Sequence, residues 1–149
     1  MASIQVVNMP DVDGQKALTV SRDVKAGEVV VSLAESVPVP KKSRYSVQVG
    51  ANDHIILKPD DCKFLNHSCD PNVFLDTENL QLVALKDLKV GEYLTFFYPS
   101  TEWDMAEPFK CVCESKNCLK EIRGAKFING GVIGKFRLNK HIRAAVAMN

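Results

Sequence analysis

Three thiols stand close together in Cys111-Val112-Cys113-Glu114-Ser115-Lys116-Asn117-Cys118. A zinc ion takes thiolate sulfurs at about 2.3 Å and, in structural sites, four ligands in a tetrahedron. A Cys-x-Cys turn followed by a four-residue loop can wrap three sulfurs around such a point. The fourth ligand must then come from elsewhere, and Cys62, Cys69, His54, His67 and His141 are the candidates. The opposing explanation is a set of buried free thiols acting as small core residues. Glu114, Ser115 and Lys116 among the spacers make an apolar core segment a poor description. Five cysteines, an odd number, also fit poorly with a framework made only of disulfides.

The elements that must hold these residues are mostly short strands. A chain of 149 residues with 46% hydrophobic and 25% charged residues has the length and composition of one compact globular domain. Nineteen basic against eighteen acidic residues leave a net charge of +1, which predicts no direct nucleic-acid binding. The densest apolar run, Val29 to Ala34, has the length of a strand, so no membrane association is expected. Met1-Ala2-Ser3-Ile4-Gln5 lacks the basic head and apolar core of a secretory leader. An intracellular address, cytoplasmic or nuclear, follows as the expectation, and there metal binding or catalysis outranks disulfides for the cysteines.

Ala17 to Val20 and Val29 to Leu33 read as strands, and the Pro38-Val39-Pro40 stretch reads as a loop. Arg44 to Val49 alternates Tyr45, Val47 and Val49 against Arg44, Ser46 and Gln48, which predicts a period-two strand. Gly50-Ala51-Asn52-Asp53 turns it into a second strand, His54 to Leu57. Val73 to Leu75 and Leu80 to Leu85 form a further pair, and Tyr93 to Tyr98 a last strand. Two Lys-x-Gly-Glu turns, at Lys25 and Lys89, are the one internal echo. Asn66 to Asn72 is too rich in loop formers for regular structure, and Asn139 to Met148 predicts a short terminal helix. The fold class is therefore mostly β, a β-rich α+β arrangement.

Asn66-His67-Ser68-Cys69-Asp70-Pro71-Asn72, then Gly91-Glu92-Tyr93-Leu94-Thr95-Phe96-Phe97-Tyr98, then Cys111-x-Cys113-x4-Cys118 resembles the signature of SET-domain protein lysine methyltransferases. The three motifs stand in the family's order, and the likeness runs from about Ala17 to Gly124. It implies small curved sheets with a pseudoknot around the Asn-His segment, and a post-SET zinc site whose fourth ligand is Cys69. Cys62 is left as a free, buried thiol. The resemblance further divides the chain into a SET-like part over 1–110, a post-SET zinc motif over 111–124 and a C-terminal extension over 125–149.

The chemistry the resemblance implies is methyl transfer from S-adenosylmethionine to a lysine of a protein. By analogy with the family, Tyr98 stands at the reacting groups, Asn66, His67 and Leu119 hold the cofactor, and Tyr45 lines the lysine channel. The opposing readings are ordinary: Tyr98 and Tyr45 as packed strand aromatics, Asn66 as a loop residue bonding its own backbone. The chain departs from the family at three places. Lys16 or Ala17 stands where a second glycine belongs after Gly14, Phe97 replaces an acid, and few residues separate Leu33 from Tyr45. Those departures keep two alternatives open, a non-catalytic zinc-binding module and a SET fold turned to small-molecule amines. The segment Pro99 to Phe109, with Trp103, serves either as a satellite core or as the wall of an apolar ligand site.

Overall fold

Short strands are stable only when other parts of the chain cover them. The computed structural model, which describes residues 3–149, shows how this sequence arranges that. Met1 and Ala2, which open the stretch read for a leader, lie outside the described residues. β1 (Ile4–Asn8) and β2 (Lys16–Val20) form an antiparallel hairpin with Ile4 opposite Val20. β3 (Val29–Ser32) is followed by β4 (Val37–Val39), β5 (Ser46–Gln48) and β6 (His54–Ile56), and these last three make an antiparallel sheet in the order β4-β6-β5. β7 is only Asn66–His67. β8 (Val73–Asp76) and β9 (Gln81–Ala84) return to β3, giving the order β3-β9-β8. β10 (Thr95–Phe96) runs parallel to β7, and β11 (Phe109–Lys110) pairs antiparallel with β12 (Glu121–Ile122).

The inward faces of these small sheets meet in one core of Leu18, Leu33, Leu75, Leu82, Leu88 and Leu94, each almost fully buried. Burying a side chain of this size stabilises by roughly 1.5–3 kcal/mol. The two Lys-x-Gly-Glu turns repeat one device. Glu28 Oε1 accepts from the Lys25 N–H at 2.8 Å, and Glu92 Oε1 from the Lys89 N–H at 3.0 Å. No helix among the described residues is long and apolar enough to cross a membrane.

Four sequence expectations need correction, the first being the strand drawn over Tyr93 to Tyr98, which keeps only β10 while Tyr98 opens a 3-10 turn. The strand drawn over Arg44 to Val49 shortens to β5, whose three residues are all buried, while Tyr45 is 55% exposed. Alternation fails there because the polar Ser46 and Gln48 are drawn inward by the Ser43 and Gly50 carbonyls. Pro38, read as loop, lies in β4, which its missing N–H tolerates because β4 is the edge of its sheet. Asn66 and His67 are extended rather than irregular, since Thr95 and Phe96 supply their partners across a long stretch of chain.

Behind β10, a second core forms from Phe97, Ala125, Ile133, Leu138 and Ile142. It draws in α1 (Gly130–Ile133) and the terminal helix α2 (Lys140–Ala147), close to the span expected. Phe97 is almost fully buried and stacks on Phe136 with ring centroids 3.8 Å apart. An apolar residue in place of the family's acid is thus required by the C-terminal segment that covers it.

Asn139, just before α2, joins three parts of the fold. Its Nδ2 donates to the Leu75 and Ser100 carbonyls at 2.8 and 3.0 Å, and its Oδ1 accepts from the Thr77 N–H and Oγ1 at 2.9 and 3.1 Å. All four bonds are lost in Asn139→Ala, which leaves buried groups without partners. Chemical denaturation of that variant is expected to show a loss of about 3 kcal/mol, whereas a loss within about 0.5 kcal/mol would mean the bonds contribute little.

Candidate functional site

Cys69 follows β7, while Cys111 follows β11 and the loop to β12 carries Cys113 and Cys118. Cys111 is held by its N–H on the Lys120 carbonyl at 2.7 Å, and Cys118 by its N–H on Ser115 at 3.2 Å. Glu114 and Lys120 adopt left-handed backbone angles that fold the loop back on itself. The result brings the four Sγ atoms within 4.8 Å of one another. Sulfurs about 2.3 Å from a tetrahedral metal stand about 3.8 Å apart, so a small contraction closes the site.

The surroundings of these sulfurs suit thiolates. Cys69 Sγ accepts the Leu119 N–H at 3.4 Å, and Ser115 Oγ lies 3.4 Å from Cys113 Sγ. Burial pushes the Cys69 thiol well up and the Cys111 thiol up to about 11. Burial also acts on Cys113, but hydrogen bonds from Ser115 and the Cys69 backbone outweigh it and bring that thiol down to about 6. Four sulfurs this close cannot all carry charge unless a cation sits among them. The donor set therefore fits a divalent, sulfur-seeking metal. Cys62 is buried in the main core and apart from the cluster, and burial raises its thiol to about 12.

The imidazole of His67 links this cluster to Tyr98. Nδ1 accepts the Tyr98 N–H at 3.0 Å, so in the neutral ring Nε2 carries the hydrogen, and Nε2 lies 3.4 Å from Cys69 Sγ. Burial lowers the His67 pKa to about 4, so the ring is neutral at pH 7. Tyr98 in turn donates its phenolic hydrogen to the Leu65 carbonyl at 2.7 Å. Burial pushes that phenol up to about 12, so its oxygen stays protonated and acts only as an acceptor for other groups. His67, Tyr98 and Phe109 pack edge to face around this point, with centroids 5.2 to 5.8 Å apart.

A cavity of about 650 Å³ opens against these residues. Asn66, His67, Tyr98 and Tyr45 all line it, together with Ala17, Phe109 and Glu102. Asn66 Nδ2 donates to the Lys16 carbonyl at 3.2 Å, and among the described residues no donor reaches its Oδ1. Ala17, one of the two residues standing where the second glycine belongs, is part of the wall. Leu119 is not in that wall; it packs between the Phe97 core and the cysteine cluster. Trp103 packs on the same core, and its carbonyl accepts the Lys126 N–H at 3.0 Å. A Cβ at Gly124, where φ is +120°, would lie 2.3 Å from that carbonyl, so only glycine permits the approach. Met105 and Phe109 line the cavity, which makes the Pro99 to Phe109 segment both packing and wall.

The sequence reading gave the Pro99 to Phe109 segment as one option for a wall without assigning a role to Phe109 or Glu102. Phe109 had no periodicity to mark it. Glu102 offered one signal, an acid inside an aromatic segment just after Tyr98. A second cavity of about 590 Å³, lined by Gln48, Trp103, His141 and Met148, lies against α2 and holds none of the residues named for the site.

The SET domain family model matches residues 15–99, more than half of the chain. The chain belongs to the SET-domain family. Methyltransferase flvH of Aspergillus flavus is 40% identical over 124 residues, which span 82% of this chain and 69% of that protein. The H3 lysine-9 specific histone-lysine N-methyltransferase KMT1 of Fusarium mangiferae is 34% identical over 76 residues, covering 39% of this chain and 22% of the relative. Among solved structures, the crystal structure of KRYPTONITE in complex with mCHG DNA and SAH superposes with a TM-score of 0.60 at 19% identity. That match covers 80% of this chain and 29% of the other, and it shows the fold. The Asn66-to-Asn72 and Gly91-to-Tyr98 motifs thus sit in a SET domain, which holds Cys69 and is followed by Cys111, Cys113 and Cys118.

Proposed function

We propose that this SET domain is an S-adenosylmethionine-dependent N-methyltransferase acting on a lysine side chain of a protein. Its structural zinc would be held by Cys69, Cys111, Cys113 and Cys118. The observation that carries the reading is the convergence of Asn66, His67 and Tyr98 on one cavity, with the Tyr98 hydrogen already engaged by Leu65. S-Adenosylmethionine supplies, when bound, a methyl group on a sulfonium that a neutral amine can displace. Cavities of about 300–1,000 Å³ suit ligands of this class, and this one lies in that range.

Asn66 Oδ1 is the free acceptor that would meet an ammonium at the cofactor's amino-acid end. The His67 backbone would hold the remainder, while Leu119, fixed beside the zinc through its N–H on Cys69, would back the cavity wall rather than touch the cofactor. Tyr98 would accept a hydrogen bond from the amine and so set the direction of its lone pair. Phe109 and Tyr45 line the cavity, and an amine that arrives as the ammonium and is desolvated against them has its pKa lowered, so that it can give up its proton before it attacks. A small-molecule amine is the second reading. It is favoured because β4 ends at Val39 and β5 begins at Ser46, leaving little chain to wall a peptide groove.

Two outcomes are expected. Metal analysis should find about one zinc per chain, with X-ray absorption giving four sulfurs at about 2.3 Å, and Cys113→Ser should melt markedly lower. A metal-free protein with an unchanged melting temperature in that variant would remove the zinc. Transfer of labelled methyl from S-adenosylmethionine to lysine-bearing peptides, or to free L-lysine on the second reading, should fall about 100-fold or more in Tyr98→Phe. That variant keeps the ring's packing and should stay folded. Wild-type turnover in Tyr98→Phe would exclude the role given to this hydroxyl.

A further inference from the structure

Glu102 is a cavity-lining carboxylate with one oxygen occupied and the other open. Its Oε2 accepts both the Gln48 N–H at 2.9 Å and the Thr101 hydroxyl at 2.7 Å. Among the described residues no donor reaches Oε1. The Glu102 N–H bonds the Tyr98 carbonyl at 3.1 Å, so the carboxylate is built on the turn that ends the Tyr98 segment. The neighbouring cations are engaged elsewhere. Lys42 Nζ donates to the Asp104 carbonyl at 2.7 Å, and the Arg44 guanidinium lies 5.1 Å from the Tyr45 ring centroid. No ion pair among the described residues includes Glu102.

A carboxylate away from bulk water is costly unless a charged donor reaches it. Burial already pushes the Glu102 pKa up, opposed by the bonds from Gln48 and Thr101 and by the charge of Lys42. The group that would complete this arrangement is a compact cation carrying N–H donors. An ammonium at the end of a slender alkyl arm has that chemistry, and the aromatic walls suit the arm.

We propose that Glu102 is the substrate-recognition carboxylate of this cavity, binding through Oε1 the ammonium group of the incoming amine beside Tyr98. The proposal rests on the reading that the cavity takes an amine substrate. It deepens that reading by naming the residue that selects an amine over a neutral alcohol of the same shape. The competing role is structural. Gln48 Oε1 accepts the Trp103 N–H at 2.9 Å while Glu102 accepts the Gln48 N–H, so the pair also clamps β5 to the turn after Tyr98.

Glu102→Gln separates the two roles, because the amide oxygen still accepts from Gln48 and Thr101 while the charge is gone. Calorimetric titrations of the full, metal-loaded chain with n-butylammonium chloride and with n-butanol, each with and without S-adenosylhomocysteine, give the readout. The wild type is expected to bind butylammonium about tenfold more tightly than butanol, and Glu102→Gln to abolish that preference at an unchanged melting temperature. If Glu102→Gln melts lower, Glu102→Asp, which keeps the charge, is expected to retain the preference despite any similar destabilisation. No preference in the wild type, an equal preference in Glu102→Gln, or its loss in Glu102→Asp would overturn the proposal. Absence of S-adenosylhomocysteine binding would instead defeat the cofactor reading, while the butylammonium titrations made without it still decide the role of Glu102.

Discussion

A parallel pairing only two residues long, Asn66 and His67 against Thr95 and Phe96, determines where the rest of the site falls. Residues 65 to 69 and 95 to 98 meet there although the whole β8–β9 hairpin lies between them. The pairing sets the Tyr98 N–H on His67 Nδ1 and the Tyr98 hydroxyl on the Leu65 carbonyl. Two residues of ladder cannot offset the entropy of closing such a loop. Asn72 supplies the missing support. Its N–H bonds the Thr95 carbonyl at 3.2 Å, its Oδ1 accepts the Thr95 N–H at 2.9 Å, and its Nδ2 reaches the Tyr93 carbonyl at 2.8 Å. Ser68 adds an N–H on the Phe96 carbonyl at 3.1 Å.

From that junction two attachments run outward. One passes through His67 Nε2 to Cys69 and so to the cysteine cluster, with Leu119 anchored to the same sulfur. The other passes through Phe97 to Phe136 and the terminal helix. The backbone of Glu102 to Met105 closes the circuit. The Glu102 and Trp103 carbonyls accept the Ala125 and Lys126 N–H groups, and the Met105 N–H bonds the Arg123 carbonyl. The cysteine segment and the residues beyond it therefore form one wall with the turn after Tyr98. A metal in the cluster would stiffen that wall, to which Cys111 and Cys113 themselves belong.

What the sequence made legible was local. Valine-rich Val29 to Ser32, the turn between β5 and β6, and the terminal helix carry their signals within a few residues. The cysteine cluster was legible because ligand type and spacing are chemical statements that need no fold. Choosing Cys69 over Cys62 was not legible from spacing, and only the family likeness supplied it. Asn66 and His67 could not be read as a strand, because their partners lie far along the chain and propensity sees only neighbours. Tyr45 was drawn on a period-two strand, but it lies outside β5 and is largely exposed, because hydrogen bonds from Ser46 and Gln48 override the hydrophobic period. Leu119 was assigned to the cofactor by analogy, and it packs behind the cavity wall. Phe97 looked like a defect of the motif until Phe136 appeared against it. Glu102 was overlooked because a single acid has no pattern.

On the proposed function, the cavity beside Tyr98, and not the one against α2, receives the cofactor. Backbone amide NMR of the isotope-labelled, metal-loaded protein during titration with S-adenosylhomocysteine tests it most directly. The largest shifts are expected on Ala17, Asn66, His67, Tyr98 and Phe109. Shifts confined to Gln48, Trp103, His141 and Met148, or no shifts at millimolar ligand, would contradict it.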